Sequence, residues 1–194
     1  MEFQQLVRRR RMVRNFDPRP IPPAALERIL ANARCAPSAG FSQGWSFLVL
    51  EGVEDTERYW SAVLPPERRR RFPWPGLLHA PVLIVALSDP QAYIERYAEP
   101  DKRTSAPRPW PTPYWHIDTA FAALLMLLTA TDAGLGALFF EVADIPAFRA
   151  AFGVPKTLHP IGAIAVGYPA PDRPSSSLRR GRRPAAAVVH RGRW

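Results

Sequence analysis

Apolar residues recur at helical spacing in several parts of the chain. After a pair of prolines that a first helical turn tolerates, Leu26, Ile29 and Ala33 share one face of a predicted helix. Residues 114–133 are apolar almost all round, which predicts a long helix central to the fold. Shorter helices are predicted at 3–10, 55–64, 90–97 and 145–152.

Four short, mostly apolar runs lie among the predicted helices. They are predicted to form buried strands and cover residues 45–50, 80–88, 134–141 and 159–168. Because helices separate most of these strands, the pattern predicts an α/β or α+β domain. With 194 residues the chain fits one domain, 1–194, and shows no internal repeat. Residues 178–194 are predicted to form an extended C-terminal arm.

The chain is strongly basic, with a net charge of +9 and a pI of about 10.7. Of its 26 basic residues only Lys102 and Lys156 are lysines. The codon bias of a GC-rich genome accounts for part of this arginine content. The sharper interpretation is a bound anion, because guanidinium groups match phosphate oxygens in pairs. A basic nucleic-acid-binding module is a rival hypothesis supported by the charge alone, without an RRM signature, zinc spacing or a recognition helix.

Several other classes of function find no support in the sequence. The single cysteine, Cys35, excludes an internal disulfide framework and fits a reducing cytoplasm. The N-terminus lacks an apolar signal core, and the most apolar run, 119–131, is shorter than the roughly 20 residues that cross a bilayer. Neither HExxH nor CxxC spacing occurs, so no metal site is expected. We therefore expect a cytoplasmic protein without a membrane partner.

Two arginine clusters lie at opposite ends of the sequence. The first, RRRRMVRNF at 8–16, interleaves arginines with apolar residues, and the second is RRGRR at 179–183. If both clusters met on one surface, they would clasp a phosphate. A lone arginine run is more often a solvated face, and that is our interpretation of RRRR at 68–71.

The loop APSAGFSQGW at 36–45 follows the first cluster at a distance of about one helix. Its small residues let a ligand approach the backbone closely, and Ser38 and Gln43 offer hydrogen bonds. The loop is not a P-loop, because GxxxxGK[ST] is absent, and GLG at 134–136 is not the GxGxxG dinucleotide fingerprint. No nucleophile–base pair is recognisable, which suits chemistry carried by a cofactor.

Taken in order, these stretches resemble the motifs of the flavin-dependent nitroreductase family. The similar segments are RRRRMVRNF, APSAGFSQGWSFLVL, GLGALFFE, HPIGAIAVGYPAP and the closing RRGRRPAAAVVH. The resemblance implies an α+β nitroreductase-like fold with a central mixed or antiparallel sheet flanked by helices. It also implies a homodimer with FMN at the subunit interface, in which the arm of one subunit completes the sheet of its partner.

The resemblance further implies an activity and a set of cofactor contacts. The activity is FMN-dependent transfer of a hydride from NAD(P)H to a nitroaromatic, quinone or similar acceptor, with ping-pong kinetics. Arg10 and Arg11 would contact the phosphate or ribityl chain, and Arg14 would lie beside the ring, where a fixed cation favours reduced flavin. The other implied FMN-binding positions are Met12, Pro37, Ser38, Ala39 and Gln43, then Phe139, Phe140 and Glu141 on the strand near flavin N5, and Arg182 and Arg183 at the phosphate.

The chain also departs from the family pattern. Met12 takes the place of the usual serine, so one hydroxyl contact is missing, and Phe41 takes the place of the usual asparagine. The Gly40–Phe41 pair is similar to a flavin-fragmenting enzyme that makes dimethylbenzimidazole, but that enzyme has an aspartate where Met12 stands. A protein that stores or fragments flavin, and the use of a deazaflavin in place of FMN, therefore remain alternative hypotheses.

Phe41, Trp110 and Trp115 are the candidate residues of a substrate pocket. The tryptophans lie in or just after the proline-rich loop 99–113 and suit either a lid over the substrate or ordinary anchoring of the loop. His116 and Asp118 begin the long predicted helix, and polarity at a helix start explains both.

Overall fold

The computed structural model of the chain describes residues 2–102 and 110–194. The helices are α1 (Phe3–Arg9), α2 (Pro23–Ala33), α3 (Gly52–Val63), α4 (Pro66–Arg70), α5 (Pro90–Ala98), α6 (Tyr114–Asp132) and α7 (Ile145–Phe152). The strands are β1 (Phe16–Asp17), β2 (Trp45–Glu51), β3 (Val82–Ser88), β4 (Gly136–Phe140) and β5 (His159–Pro169). Residues 103–109 of the predicted loop 99–113 lie outside the described part of the chain.

The five strands form one sheet in which every strand pairing is antiparallel. The order β1–β5–β3–β2 runs along the sheet, and β4 also pairs with β5. The predicted α+β fold with an antiparallel sheet is therefore confirmed. The strand β1 was not predicted, because two residues carry no pattern of their own and only their pairing with Pro169 and Tyr168 defines them.

Strand β3 is buried on both faces and divides the core into two halves. Leu83, Val85 and Leu87 pack into a cluster with α3 and α7, while the alternate residues 82, 84 and 86 pack towards α2 and α6. Side chains of a strand point alternately to opposite faces, so a continuously apolar run is what a central strand requires. The same burial explains why this strand was visible in the sequence.

Helix α6 runs through the second half of the core. Ala122, Met126 and Ala130 are buried against α2 and the sheet, whereas Phe121 and Leu124 are more than 40% exposed. An apolar surface on both sides of a helix is unusual where one side faces water.

The arginine-rich helix α4 and the C-terminal arm are the most exposed parts of the chain. Arg68, Arg70 and Arg71 are exposed, as the interpretation of a solvated face predicted, and Arg69 pairs with Glu57. Every residue from 177 to 194 is exposed. The arm contains two short 3-10 turns, Ser176–Arg180 and Ala185–Ala187, and no strand.

Candidate cofactor and substrate site

The first arginine cluster leaves α1 and joins the edge of β4. Met12 forms a parallel bridge with Ala137, and the backbone N–H of Val13 donates to the Ala137 carbonyl over 3.0 Å. Val13 is buried beneath this contact, where it lies against Gly136. The apolar residues of the motif thus fasten its arginines to the rim of the sheet.

Neighbouring arginines of this cluster do not all face the same way. Arg10 is half-buried, and its Nη1 atom is buried with no hydrogen-bond partner among the described residues. Arg11 is exposed and lines a cavity of about 300 Å³ together with Arg9 and Val13. A buried, unpaired guanidinium nitrogen is costly, and an anion would relieve that cost.

Arg14 lies in a different pocket, of about 330 Å³, beside Trp74. Its guanidinium carbon is 5.2 Å from the centre of the indole ring, and its backbone N–H donates to Oδ2 of Asp172 over 2.8 Å. Neither Trp74 nor Asp172 was singled out in the sequence, because nothing in their local pattern links them to residue 14.

The loop 36–44 forms a compact turn stabilised by its own hydrogen bonds. The backbone N–H of Gln43 donates to Oγ of Ser38 over 3.0 Å, and the Ser42 hydroxyl donates to the Ala39 carbonyl over 2.7 Å. Gly40, Phe41 and Gln43 all adopt positive φ, at 62°, 56° and 50°. Positive φ is strained for a residue with a side chain, and such strain is concentrated at functional sites.

A buried carboxylate holds this loop to the start of α6. Oδ2 of Asp118 accepts from the backbone N–H of Ala39 over 2.8 Å and from the Tyr93 hydroxyl over 2.7 Å. Asp118 is 3% exposed and Tyr93 is fully buried. Burial and, second, the hydrogen bond to Asp118 raise the pKa of Tyr93, so its phenol stays protonated and donates. The prediction of simple helix-start polarity missed this role of Asp118.

Helix α5 is the surface on which the loop rests. A Cβ added at Gly44 would lie 2.4 Å from the Tyr93 ring, and one added at Gly40 would lie 2.8 Å from the Tyr97 ring. Arg96 donates from Nε to the Gly40 carbonyl over 2.8 Å. The spacing of residues 93, 96 and 97 places all three on one helix face, and this spacing is the signal in the sequence that could have identified them.

The three candidate pocket residues lie in this loop or beside it. Phe41 is 73% exposed despite its size. Trp110 packs edge-to-face on Tyr97 at 4.7 Å between ring centres and lies 6.3 Å from Trp115. The two tryptophans therefore belong to one aromatic cluster with Tyr93 and Tyr97 of α5, and that cluster borders the Phe41 turn through Tyr97.

His116 takes part in a partly buried hydrogen-bond chain beside the same cluster. Its Nε2 accepts from the Trp115 indole N–H over 3.3 Å, which leaves the proton on Nδ1, 2.8 Å from the Ser88 hydroxyl. The Ser88 hydroxyl in turn donates to the His159 carbonyl. Burial and, second, the charge of His159 lower the pKa of His116, so its ring is neutral at neutral pH.

The strand predicted to face the flavin ring is β4 with the residue that follows it. Phe139 packs against Gly162, where a Cβ would lie 2.3 Å from the ring, and Phe140 stacks on Trp60 at 5.5 Å. Glu141 is exposed. The edge of β4 away from β5 carries the bridge at Ala137, and no further strand covers it among the described residues.

The second arginine cluster does not join the first within one chain. Arg182 is exposed, and Arg183 donates from Nη2 to the Ala187 carbonyl of the same arm over 2.7 Å. No hydrogen bond between described residues links either one to Arg10 or Arg11. A meeting of the two clusters around one phosphate stays a prediction that requires a second copy of the chain.

Two further observations concern metal binding and membrane crossing. Within residues 2–102 and 110–194, no group of three or more histidine, cysteine, aspartate or glutamate side chains is arranged to hold a metal ion. In the same part of the chain, none of the helices combines the length and the apolar character that crossing a membrane demands.

This α+β arrangement recurs in solved structures. A nitroreductase family protein from Clostridium difficile 630 superposes with a TM-score of 0.75 over the full length of both chains, at 23% sequence identity. At that identity the likeness shows the shared fold. The sequence itself then defines the class more narrowly.

The chain belongs to the Nitroreductase family, whose pattern it matches over residues 7–168. It is 27% identical over 175 residues to a protein of Methanothermobacter thermautotrophicus provisionally named NADH dehydrogenase/NAD(P)H nitroreductase, covering 88% of this chain and 78% of that protein. It is also 29% identical over 184 residues to the 5,6-dimethylbenzimidazole synthase of Rhodospirillum rubrum, covering 88% and 83%. The predicted family is thereby confirmed, and the chain is an oxidoreductase.

Proposed function

We propose that this chain is an FMN-dependent NAD(P)H oxidoreductase that reduces a small organic acceptor such as a nitroaromatic or a quinone. The observation that carries the proposal is the buried Nη1 of Arg10, a fixed cation with no partner among the described residues, two positions before the bridge to β4. The nitroreductase family generally binds flavin, and an FMN phosphate would satisfy this nitrogen.

The residues around the loop fit a flavin with one adjustment to the predicted contacts. The backbone N–H of Ala39 is already occupied by Asp118, so it is not free to bind a cofactor. The Ser38 hydroxyl accepts from Gln43 and keeps its own proton to donate. Ser38, rather than Ala39, is therefore the hydrogen-bonding contact that this loop offers.

FMN, when bound, would supply the redox chemistry between NAD(P)H and the acceptor, which we propose to follow ping-pong kinetics. The chain supplies position and charge. Arg10 would hold the phosphate, and Arg14 would provide positive charge that the Trp74 ring and the carbonyl of Met12 keep in place. Asp118 and Tyr93 hold the loop that borders the pocket.

The surface of the chain supports a homodimer. Phe121 and Leu124 on α6, with Phe3 and Val7 on α1, are more than 40% exposed. Together they form an apolar surface of the kind that a second copy of the chain covers. The exposed arm, with Arg182 and Arg183, would then lie free to reach the partner's site.

The relationship to a dimethylbenzimidazole synthase raises a second candidate, fragmentation of the flavin itself. Gly40 and Phe41 favour it, whereas Met12 does not, because a thioether cannot carry out the proton transfer of a carboxylate. Oxidation of NAD(P)H with an external acceptor is the function that the site supports better.

A spectrum of the purified protein tests the proposal. We expect the two absorbance bands of FMN, bleached by anaerobic addition of NADPH or NADH and restored by a quinone. The variant Arg10→Gln should bind FMN at least tenfold more weakly, whereas Arg68→Gln on the exposed helix α4 should bind it normally. Protein that stays colourless after incubation with FMN would disprove the proposal. A deazaflavin spectrum would show that the cofactor is a deazaflavin and not FMN.

A further inference from the structure

We propose that Arg96 is a positioning residue that orients Phe41 towards the ring of an aromatic acceptor. The inference rests on the proposed function, since it assigns a role within the same pocket. It concerns a residue on α5 that no sequence motif marks, and it explains why a large apolar side chain stands exposed on a strained turn.

Arg96 connects the turn that carries Phe41 to a second segment, residues 99–101. Its Nε donates to the Gly40 carbonyl, one residue before Phe41, over 2.8 Å. Its Nη1 and Nη2 form a paired contact with Asp101, each over 2.7 Å, and Nη1 also reaches Glu99 over 2.9 Å. One guanidinium group thereby joins the turn at residue 40 to the start of the segment that leads to Trp110.

The geometry requires arginine rather than another cation. A guanidinium presents Nε and its two terminal nitrogens in one rigid plane, so it can bind a carbonyl on one side and a carboxylate on the other. A lysine has a single nitrogen and cannot reproduce both contacts at fixed angles. The paired contact with Asp101 fixes the orientation of the Arg96 guanidinium group. Arg96 in turn lowers the pKa of Asp101, so both groups are charged at neutral pH.

The turn needs this support because its backbone is strained. Phe41 at φ 56° and Gln43 at φ 50° occupy a region that residues with side chains rarely adopt. The contact at Gly40 fixes the peptide that precedes Phe41, and the Tyr97 ring beneath Gly40 blocks movement towards α5. Without Arg96, the turn would relax and Phe41 would sample other directions.

Stacking between Phe41 and a bound ring sets the size of the expected effect. Aromatic stacking strengthens binding about two- to twelvefold beyond burial. Loss of a fixed orientation should therefore raise the KM for an aromatic acceptor at least about twofold and at most about twelvefold. An acceptor without a ring should be much less affected.

The test compares Arg96→Lys with wild-type holoenzyme, using nitrobenzoate and ferricyanide as acceptors. We expect the KM for nitrobenzoate to rise at least about twofold and at most about twelvefold, with kcat and the KM for ferricyanide equal to those of wild type. Asp101→Asn weakens the contact between residues 96 and 101 and leaves the contact of Arg96 with Gly40 in place, so it should raise the KM for nitrobenzoate less. Arg58→Lys is the matched control, because Arg58 also donates to a backbone carbonyl, that of Ala151, away from this loop.

A double-mutant cycle separates positioning from general damage. In a Phe41→Ala background, Arg96→Lys should raise the KM for nitrobenzoate no further. Additive effects, or an Arg96→Lys enzyme with the wild-type KM, would overturn the inference and leave the proposed function intact. A wild-type protein that neither binds FMN nor oxidises NAD(P)H would overturn the proposed function instead.

Discussion

The carboxylate of Asp118 provides the most direct test of how this site is built. The change Asp118→Ala removes the acceptor shared by the Tyr93 hydroxyl and the backbone N–H of Ala39. Tyr93 is fully buried, so water cannot replace the lost acceptor there. The Ala39 N–H is only partly buried, and water can reach it once the loop moves.

The magnitude follows from the two orphaned donors. A buried donor left without a partner costs about 1–3 kcal/mol, with the Tyr93 hydroxyl near the upper end and the Ala39 N–H near the lower end. The change also removes a buried charge, which offsets part of the loss. We expect a net loss of about 3 kcal/mol in the free energy of unfolding, or about 6–12 °C in Tm for a chain of this size.

Urea denaturation of both proteins measures this loss, with Tyr93→Phe as a matched variant. Tyr93→Phe removes only one donor and should cost about 1 kcal/mol. The double variant should lose less unfolding free energy than the sum of the two single losses, because it leaves no tyrosine hydroxyl unpaired. If Asp118→Ala unfolds within about 0.5 kcal/mol of wild type, which is roughly the scatter of neutral surface changes, the carboxylate does not hold the loop.

Three further predictions concern packing, backbone strain and pH. Gly44→Ala should cost about 2–3 kcal/mol in urea denaturation, because its Cβ would overlap the pinned Tyr93 ring. Gly153→Ala should cost only about 1 kcal/mol, since no atom of the described residues lies within 4 Å of the new Cβ and the expected penalty comes from φ 66° at the end of α7. A larger loss there than at Gly44 would contradict both estimates. Because burial lowers the pKa of His116, the unfolded chain gains its proton first, so stability should be complete above about pH 6.5 and decline as the pH falls. His116→Gln should flatten this decline in Tm between pH 7 and 5, and a slope equal to wild type would exclude His116 as its source.

The strands and the long helix could be predicted because their burial leaves a pattern in the sequence. Each residue of β3 is buried, and the run 80–88 is apolar up to Ser88. Helix α3 begins at Gly52, three residues before the prediction, because its first turn, with the exposed Val53, lacks an apolar face. Strand β1 was missed, since two residues gain strand geometry only from β5.

The candidate site was predictable in its chemical groups and not in their arrangement. The arginines of residues 8–16 predicted a bound anion. The small residues of 36–45 predicted that a ligand approaches the backbone closely. The sequence could not show that Arg10 and Arg11 diverge, because the direction of each side chain depends on where the extended segment meets β4. Nor could it show that Asp118 uses the Ala39 N–H, a contact between residues 79 positions apart.

By itself, the sequence determined the family, the class of fold and the types of residue that surround the candidate cofactor site, because periodicity and ordered motifs are local properties of the chain. Only the tertiary structure decided which charges are paired and which are left free. Pairing depends on distances between elements that are remote in sequence, as in the contacts of Arg96 with Gly40 and of Arg14 with Asp172. The same arrangement leaves Nη1 of Arg10 without a partner among the described residues and leaves the ring of Phe41 exposed.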